Sequence, residues 1–191
     1  MLSILRTVVP ASEPVTLEEA KTHCRVSGAD EDAYLTLLIA RARELLEEEY
    51  GRAFVTQTWV WRLDAWPDAE LIVPRAPLAS VSSISYVDQA GASQVWSSAL
   101  YQVDTTSEPG RIVPAYGQFW PTLRCQLNAV TITFVAGAAV AAVPGPIKAA
   151  VLLAVEDLFA HRGDVITGTI SSSLGAIARL MAPYKIYRRS A

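Results

Sequence analysis

The chain of 191 residues is 51% hydrophobic and 18% charged, with net charge −3 and mean hydropathy +0.26. It can build a core, it lacks the overall basic signature of a nucleic-acid binder, and its high hydropathy leaves apolar surface for an interface. Cys24 and Cys125 lie far apart without CxxC spacing, which indicates neither a disulfide framework nor a zinc cluster. The start, MLSILRTVVPASE, has Arg6 as its only charge and makes a poor signal peptide. The most apolar run, 129–143, is too short to span a bilayer. A soluble protein made in a reducing cytoplasm, with no membrane partner, is expected.

In chain order, Thr16 and Glu19 form a capping box for a first helix from Leu17 to Val26, stopped at Gly28. Asp30 is the expected N-cap of a second helix ending near Tyr50, with Gly51 as its stop. Tyr34, Leu37, Leu38, Ile39, Leu45 and Leu46 supply its apolar face, and Glu44 and Glu47 to Glu49 are placed towards solvent or a partner. Carboxylates at a helix C-terminus oppose the macrodipole, so a basic group is expected to compensate. Alternating β-formers then run from Phe54 to Ala136, with DQAGAS as a hairpin turn in which Gly91 supplies positive φ. Helix returns at PGPIKAAVLLAVEDLFAHRGD, with Pro146 in its first turn and Gly163 at its end. A turn or two of helix is expected at Leu174 to Met181, closed by Pro183.

The resulting fold class is α+β. A small bundle of two N-terminal helices and one long C-terminal helix (14–52 and 144–163) holds an inserted antiparallel β domain (54–136). An extended C-terminal tail (164–191) completes one domain spanning 1–191.

The chemistry-bearing residues are sparse. His23 and Cys24 are adjacent, so on a helix they point about 100° apart and share no metal. No G-x-S-x-G, G-x-G-x-x-G or phosphate loop occurs. No catalytic residue, metal site or cofactor is expected. Trp59 and Trp61 share one strand face and Trp66 and Trp120 each precede a proline, which reads as sheet core and turn packing rather than a stacking platform.

Charge is unevenly placed. From Glu13 to Arg52 there are ten acidic and five basic residues, a local net of −5; from Leu174 to the end there are four basic residues and no acidic one. The tail ARLMAPYKIYRR mixes those charges with apolar and aromatic side chains, a composition that docks on partners.

The co-linear set VTLEEAKTHCRV, PRAPLASVSSISYVD, YQVDTTSEPGRI, VPGPIKAAVLLAVEDLFAHRGD and LMAPYKIYRR resembles the head-tail connector (adaptor, or head completion) proteins of long-tailed bacteriophages. It is closest to the longer kind of prophages and gene transfer agents. The resemblance implies a structural virion protein, not an enzyme. It implies a ring of twelve copies under the portal that extends the DNA channel and offers a surface to stopper or tail-terminator proteins. DNA would pass without sequence-specific binding. The implied place is the head-tail interface of the virion, after assembly in the host cytoplasm. Arg179, Leu180, Met181, Pro183, Tyr184, Tyr187, Arg188 and Arg189 are assigned to the portal contact. Arg41, Glu44, Glu47 and Glu48 are assigned to ring or channel surfaces. Removing everything after Ser173 is expected to leave a folded chain that no longer joins portal. The alternative is a DNA-binding module that uses the basic tail.

Overall fold

A computed structural model describes residues 3–161 and 172–186. The chain divides into two compact units, one of 1–11 and 56–138 and the other of 12–55 and 139–191. The class is α+β, as the sequence implies.

The helical unit contains α1 (Leu17–Cys24), α2 (Asp32–Tyr50), α3 (Gly145–Ala160) and α4 (Ser172–Met181). The expected capping box forms: the Glu19 amide donates to Thr16 Oγ1 at 3.2 Å, and the Thr16 amide donates to Glu19 Oε2 at 2.7 Å. The backbone and hydroxyl of Thr16 hold the Glu19 carboxyl below its ordinary pKa. α1 stops two residues short of the expected end, because Arg25 takes the left-handed conformation (φ 56°) and closes the helix onto the Lys21 and Thr22 carbonyls. α2 begins at Asp32 rather than after Asp30; its N-cap is Glu31, without a side-chain cap, and Lys21 pairs with Asp32 at 2.7 Å. Gly51 ends α2 in the left-handed region, as expected. One apolar cluster joins Leu35, Leu38, Ile39 and Leu46 of α2 with Ile147, Val151 and Val155 of α3 and Ile177 and Met181 of α4.

The β unit contains β1 (Ser3–Val8), β2 (Gln57–Leu63), β3 (Leu71–Ile72), β4 (Leu78–Val87), β5 (Ser93–Trp96), β6 (Tyr101–Asp104), β7 (Arg111–Pro114) and β8 (Val130–Ala136). A five-stranded sheet runs β1-β2-β8-β4-β5, and a three-stranded sheet runs β3-β7-β6. Every neighbouring pair is antiparallel. One face of the larger sheet is core: Trp59 and Trp61 of β2, Ile132 and Phe134 of β8 and Ile84 of β4 are buried. Alternation puts them on one side. Gly91 has φ 88° in the β4–β5 turn, as the hairpin reading required.

β1 is absent from the sequence reading. SILRTV is one short apolar segment with no turn signal between it and the chain start. Its strand character comes from pairing Ser3 through Arg6 with Arg62 through Trp59, a partner more than fifty residues away.

The YQVDTTSEPGRI stretch has a packing explanation. Asp104 accepts from the Thr106 and Ser107 amides (2.9 and 3.0 Å), from Ser107 Oγ (2.6 Å) and from Arg111 Nη2 (2.8 Å). The Ser107 hydroxyl and the Arg111 guanidinium hold its carboxyl well below the usual carboxylate range. The loop so fixed brings buried Gly110 against β4. A Cβ on Gly110 would sit 2.5 Å from Leu78 Cβ and 3.2 Å from the Asp104 carbonyl. Gly110→Ala is therefore expected to destabilise the protein by about 1–3 kcal/mol through overpacking. Urea unfolding checks this; an unchanged midpoint would show that the loop yields.

Candidate docking surfaces

Two sets of side chains carried the expected docking role, and both lie in the helical unit. Arg41, Glu44 and Glu48 are exposed along α2. At 100° per residue they fall within one narrow arc; Leu37 lies inside it and Leu45 borders it. Both leucines are 57% exposed. The sequence reading counts both in the apolar face of α2, together with Leu38 and Leu46, which are buried. The i,i+4 spacing of Leu37, Arg41 and Leu45 is the signal that separates them from Leu35, Leu38 and Leu46.

Glu47 is a correction. It is 3% exposed and offers no ring or channel surface. Its Oε2 accepts from Arg43 Nη1 at 2.8 Å, and its Oε1 accepts from the Phe54 amide at 2.6 Å. Arg43, also 3% exposed, donates through Nε and Nη2 to the two Glu13 oxygens at 2.6 and 3.2 Å. Burial alone would lower the Arg43 pKa, but the Glu13 and Glu47 carboxylates outweigh it and raise the value. Arg43 is thus the basic group expected to offset the acidic end of α2, and it acts from inside the fold.

The tail set is divided by burial. Arg179 and Pro183 are exposed, and Leu180 and Tyr184 are half-buried. Met181 is fully buried, which corrects its assignment to a partner surface: it fills the helical core. A single helical turn, Ala182–Tyr184, follows α4. The Tyr184 carbonyl accepts from Arg52 Nη1 at 3.2 Å, and the Arg52 guanidinium lies 5.8 Å from the Tyr184 ring centre. The Ile186 amide donates to the Tyr50 carbonyl at 3.3 Å. The chain is thereby tied to the C-terminal end of α2 at the point where Tyr187 begins. Tyr187, Arg188 and Arg189 lie outside the described residues.

His23 and Cys24 answer to structure. His23 Nε2 lies 3.1 Å from Glu156 Oε2 on α3, and burial pushes the Cys24 thiol up. Among the described residues no three His, Cys, Asp or Glu side chains converge to hold a metal, and no helix is long and apolar enough to cross a membrane.

In the β unit, Trp66 stacks on Trp120 at 4.8 Å, and both rings abut buried Trp96. Trp66 Nε1 donates to the Pro121 carbonyl at 2.8 Å. These rings anchor the loop 115–128. That loop shows Tyr116 (100% exposed), Phe119 (85%) and Leu127 (77%) to solvent. Residue-type reasoning missed this display, because it stopped at the tryptophans that hold it.

Residues 14–89 match the family model of the phage gp6-like head-tail connector proteins. No curated protein sequence matches the chain. Three solved structures hold chains of similar fold. One, from the neck of an empty gene transfer agent particle computed with C6 symmetry, has a TM-score of 0.81 at 21% identity and covers 99% of this chain and 98% of that one. A chain in the virion of a native gene transfer agent particle gives 0.78 at 21% identity, over 98% and 97%. A chain in a native particle's neck, computed with C12 symmetry, gives 0.77 at 22% identity, over 100% and 98%. The resemblance to head-tail connectors thus holds in sequence over 14–89, and the fold of the whole chain is one found in gene transfer agent particles.

Proposed function

We propose that this chain, which carries the head-tail connector segment at residues 14–89, is a structural adaptor of a phage-type particle. It works by holding other proteins together rather than by catalysis. Copies form a ring under the portal, extend the DNA channel and offer a surface to a stopper or tail-terminator protein. The observation that carries this reading is the joint match: a connector family model on the N-terminal part and a neck fold along nearly the full length. The C12 symmetry of one similar neck supports twelve copies. The net charge of −3 suits a channel that lets DNA pass without gripping its phosphates. The virion's head-tail junction is the proposed place, reached after assembly in the host cytoplasm.

Exposed Arg179 and Pro183, half-buried Leu180 and Tyr184, and Tyr187, Arg188 and Arg189 beyond them form the portal-facing set. Arg41, Glu44 and Glu48, with Leu37 and Leu45, form a second surface on α2 for a neighbour or the channel. Repetition around the ring multiplies weak contacts.

Mass photometry of the protein with the portal from the same genome tests the reading. About twelve copies per portal are expected. A chain that ignores portal and instead shifts on duplex DNA, with affinity falling steeply in salt, overturns it.

A further inference from the structure

α2 and α4 both pack on α3, and each turns one face away from it. On α2 the buried side chains Leu35, Leu38, Ile39, Ala42 and Leu46 leave the opposite arc to Leu37, Arg41, Glu44, Leu45 and Glu48. On α4 Ile177 and Met181 are buried, and Gly175, Ala178, Arg179 and Ala182 are exposed on the other side.

The two outward faces are unlike in size and in charge. The α2 face is tall, with Leu37 and Leu45 each 57% exposed. The α4 face is low. A Cβ added to Gly175 would meet nothing within 4 Å, and Ala178 and Ala182, one turn apart, bound a notch rimmed by methyl groups. α2 has no basic residue in its last turn and shows Glu44 and Glu48 outward, with Arg41 a turn earlier. Residues 174–186 carry exposed Arg179 and Lys185 and no acidic residue.

The levels of these groups match as well. The C-terminal ends of α2 and α4 lie together, because the Ile186 amide bonds the Tyr50 carbonyl and Arg52 bonds the Tyr184 carbonyl. Both helices pack along α3 from those joined ends, so they run in the same direction. Counted back from the ends, Glu44 is six residues before Tyr50 and Arg179 is seven before Ile186. Glu48 is two before Tyr50 and Lys185 one before Ile186. Leu45 is five before Tyr50, a level bracketed by Ala178 and Ala182 at eight and four before Ile186.

We infer that the exposed face of α2 in one copy docks on the exposed face of α4 in the next. Glu44 meets Arg179, Glu48 meets Lys185, and Leu45 enters the notch between Ala178 and Ala182. This rests on the ring reading above. The two faces both turn away from α3, so they do not meet within a copy. A twofold pairing of α4 faces would set Arg179 and Lys185 against their own kind. A contact between unlike faces instead repeats from copy to copy and closes as a ring. Rotation about an axis running along the helices keeps direction and level, so groups that match in height within one copy match between neighbours. Arg179 then belongs to the contact between copies, and the portal-facing set keeps its other members.

Charge reversal with rescue tests the contact on the full-length chain. Arg179→Glu and Glu44→Arg are each expected to raise the concentration for half-maximal ring formation about tenfold or more. Mass photometry reads this under conditions where wild type assembles. The double variant restores a pair of opposite sign in every contact and is expected to assemble close to wild type. A role for Arg179 towards portal alone predicts no rescue by a change on α2. Both positions are exposed, so melts should match wild type. Glu44 also lies 3.8 Å from Arg43, so if its reversal disturbs the melt, Glu48→Lys and Lys185→Glu are used in the same way. Single variants that assemble like wild type, or a double variant that assembles no better than the singles, overturn the contact and leave the adaptor reading in place. Wild type that forms no ring, alone or with portal, removes both.

Discussion

Glu47→Ala is expected to destabilise the protein by about 3–5 kcal/mol, the cost of breaking a buried ion pair from one side. Two losses combine. Arg43, 3% exposed, would keep Glu13 as a partner but lose the 2.8 Å bond to Glu47. The Phe54 amide would lose its acceptor in a buried setting. The neighbouring exposed Glu48→Ala should change stability by less than about 0.5 kcal/mol. Urea titration compares them: midpoints should separate while the slopes stay equal. Equal midpoints would mean that Glu47 acts at the surface, as the sequence alone suggested. The contrast matters for function, because four glutamates in six positions look interchangeable in the sequence, and three of them have side chains at the surface while one fastens α2 to the chain at Phe54.

That difference shows what the sequence could and could not supply. Capping at Thr16, the stop at Gly51, the turn at Gly91 and the shared face of Trp59 and Trp61 depend on residues close in the chain. Local rules find such features. The Arg43–Glu47 pair has the i,i+4 spacing of a helix, but its burial depends on Arg43 also reaching Glu13, thirty positions away, which no periodicity reports. β1 fails for the same reason: its partner strand begins beyond both N-terminal helices. Leu37 and Leu45 belong to the apolar set of α2 by residue type, yet they stay outside, because residue type alone does not say which apolar side chains a fold buries and much apolar surface stays outside in any fold. The tail was half legible. Its amphipathic composition marked a docking element, but composition cannot divide Met181, which the core takes, from Arg179, which it leaves out.

The same division sets the result expected when the tail is cut. Removal of 174–191 deletes Ile177 and Met181, which are 6% and 0% exposed in the helical cluster with Leu46 and Val155. Each such side chain contributes about 2–5 kcal/mol when cut back to alanine in a core. Their joint loss approaches the total stability of an ordinary domain, about 5–15 kcal/mol. The helical unit of that chain should therefore melt far below wild type or fail to fold, contrary to the expectation from sequence. A cut after Ile186 is different. It keeps both core residues, the Arg52 bond to the Tyr184 carbonyl and the Ile186 bond to Tyr50. It removes only Tyr187 to Ala191, with two of the four basic residues of the tail. Its melting temperature should stay within about 2–4 °C of wild type, the shift that 1 kcal/mol produces in a chain this size, while portal co-assembly falls. Differential scanning calorimetry and portal co-sedimentation on the two truncations read both halves. A normal melt after the longer cut would place Met181 outside the core. Full portal binding after the shorter cut would move the portal contact off Tyr187, Arg188 and Arg189 and onto the exposed side of α4, where Arg179→Glu becomes the deciding variant.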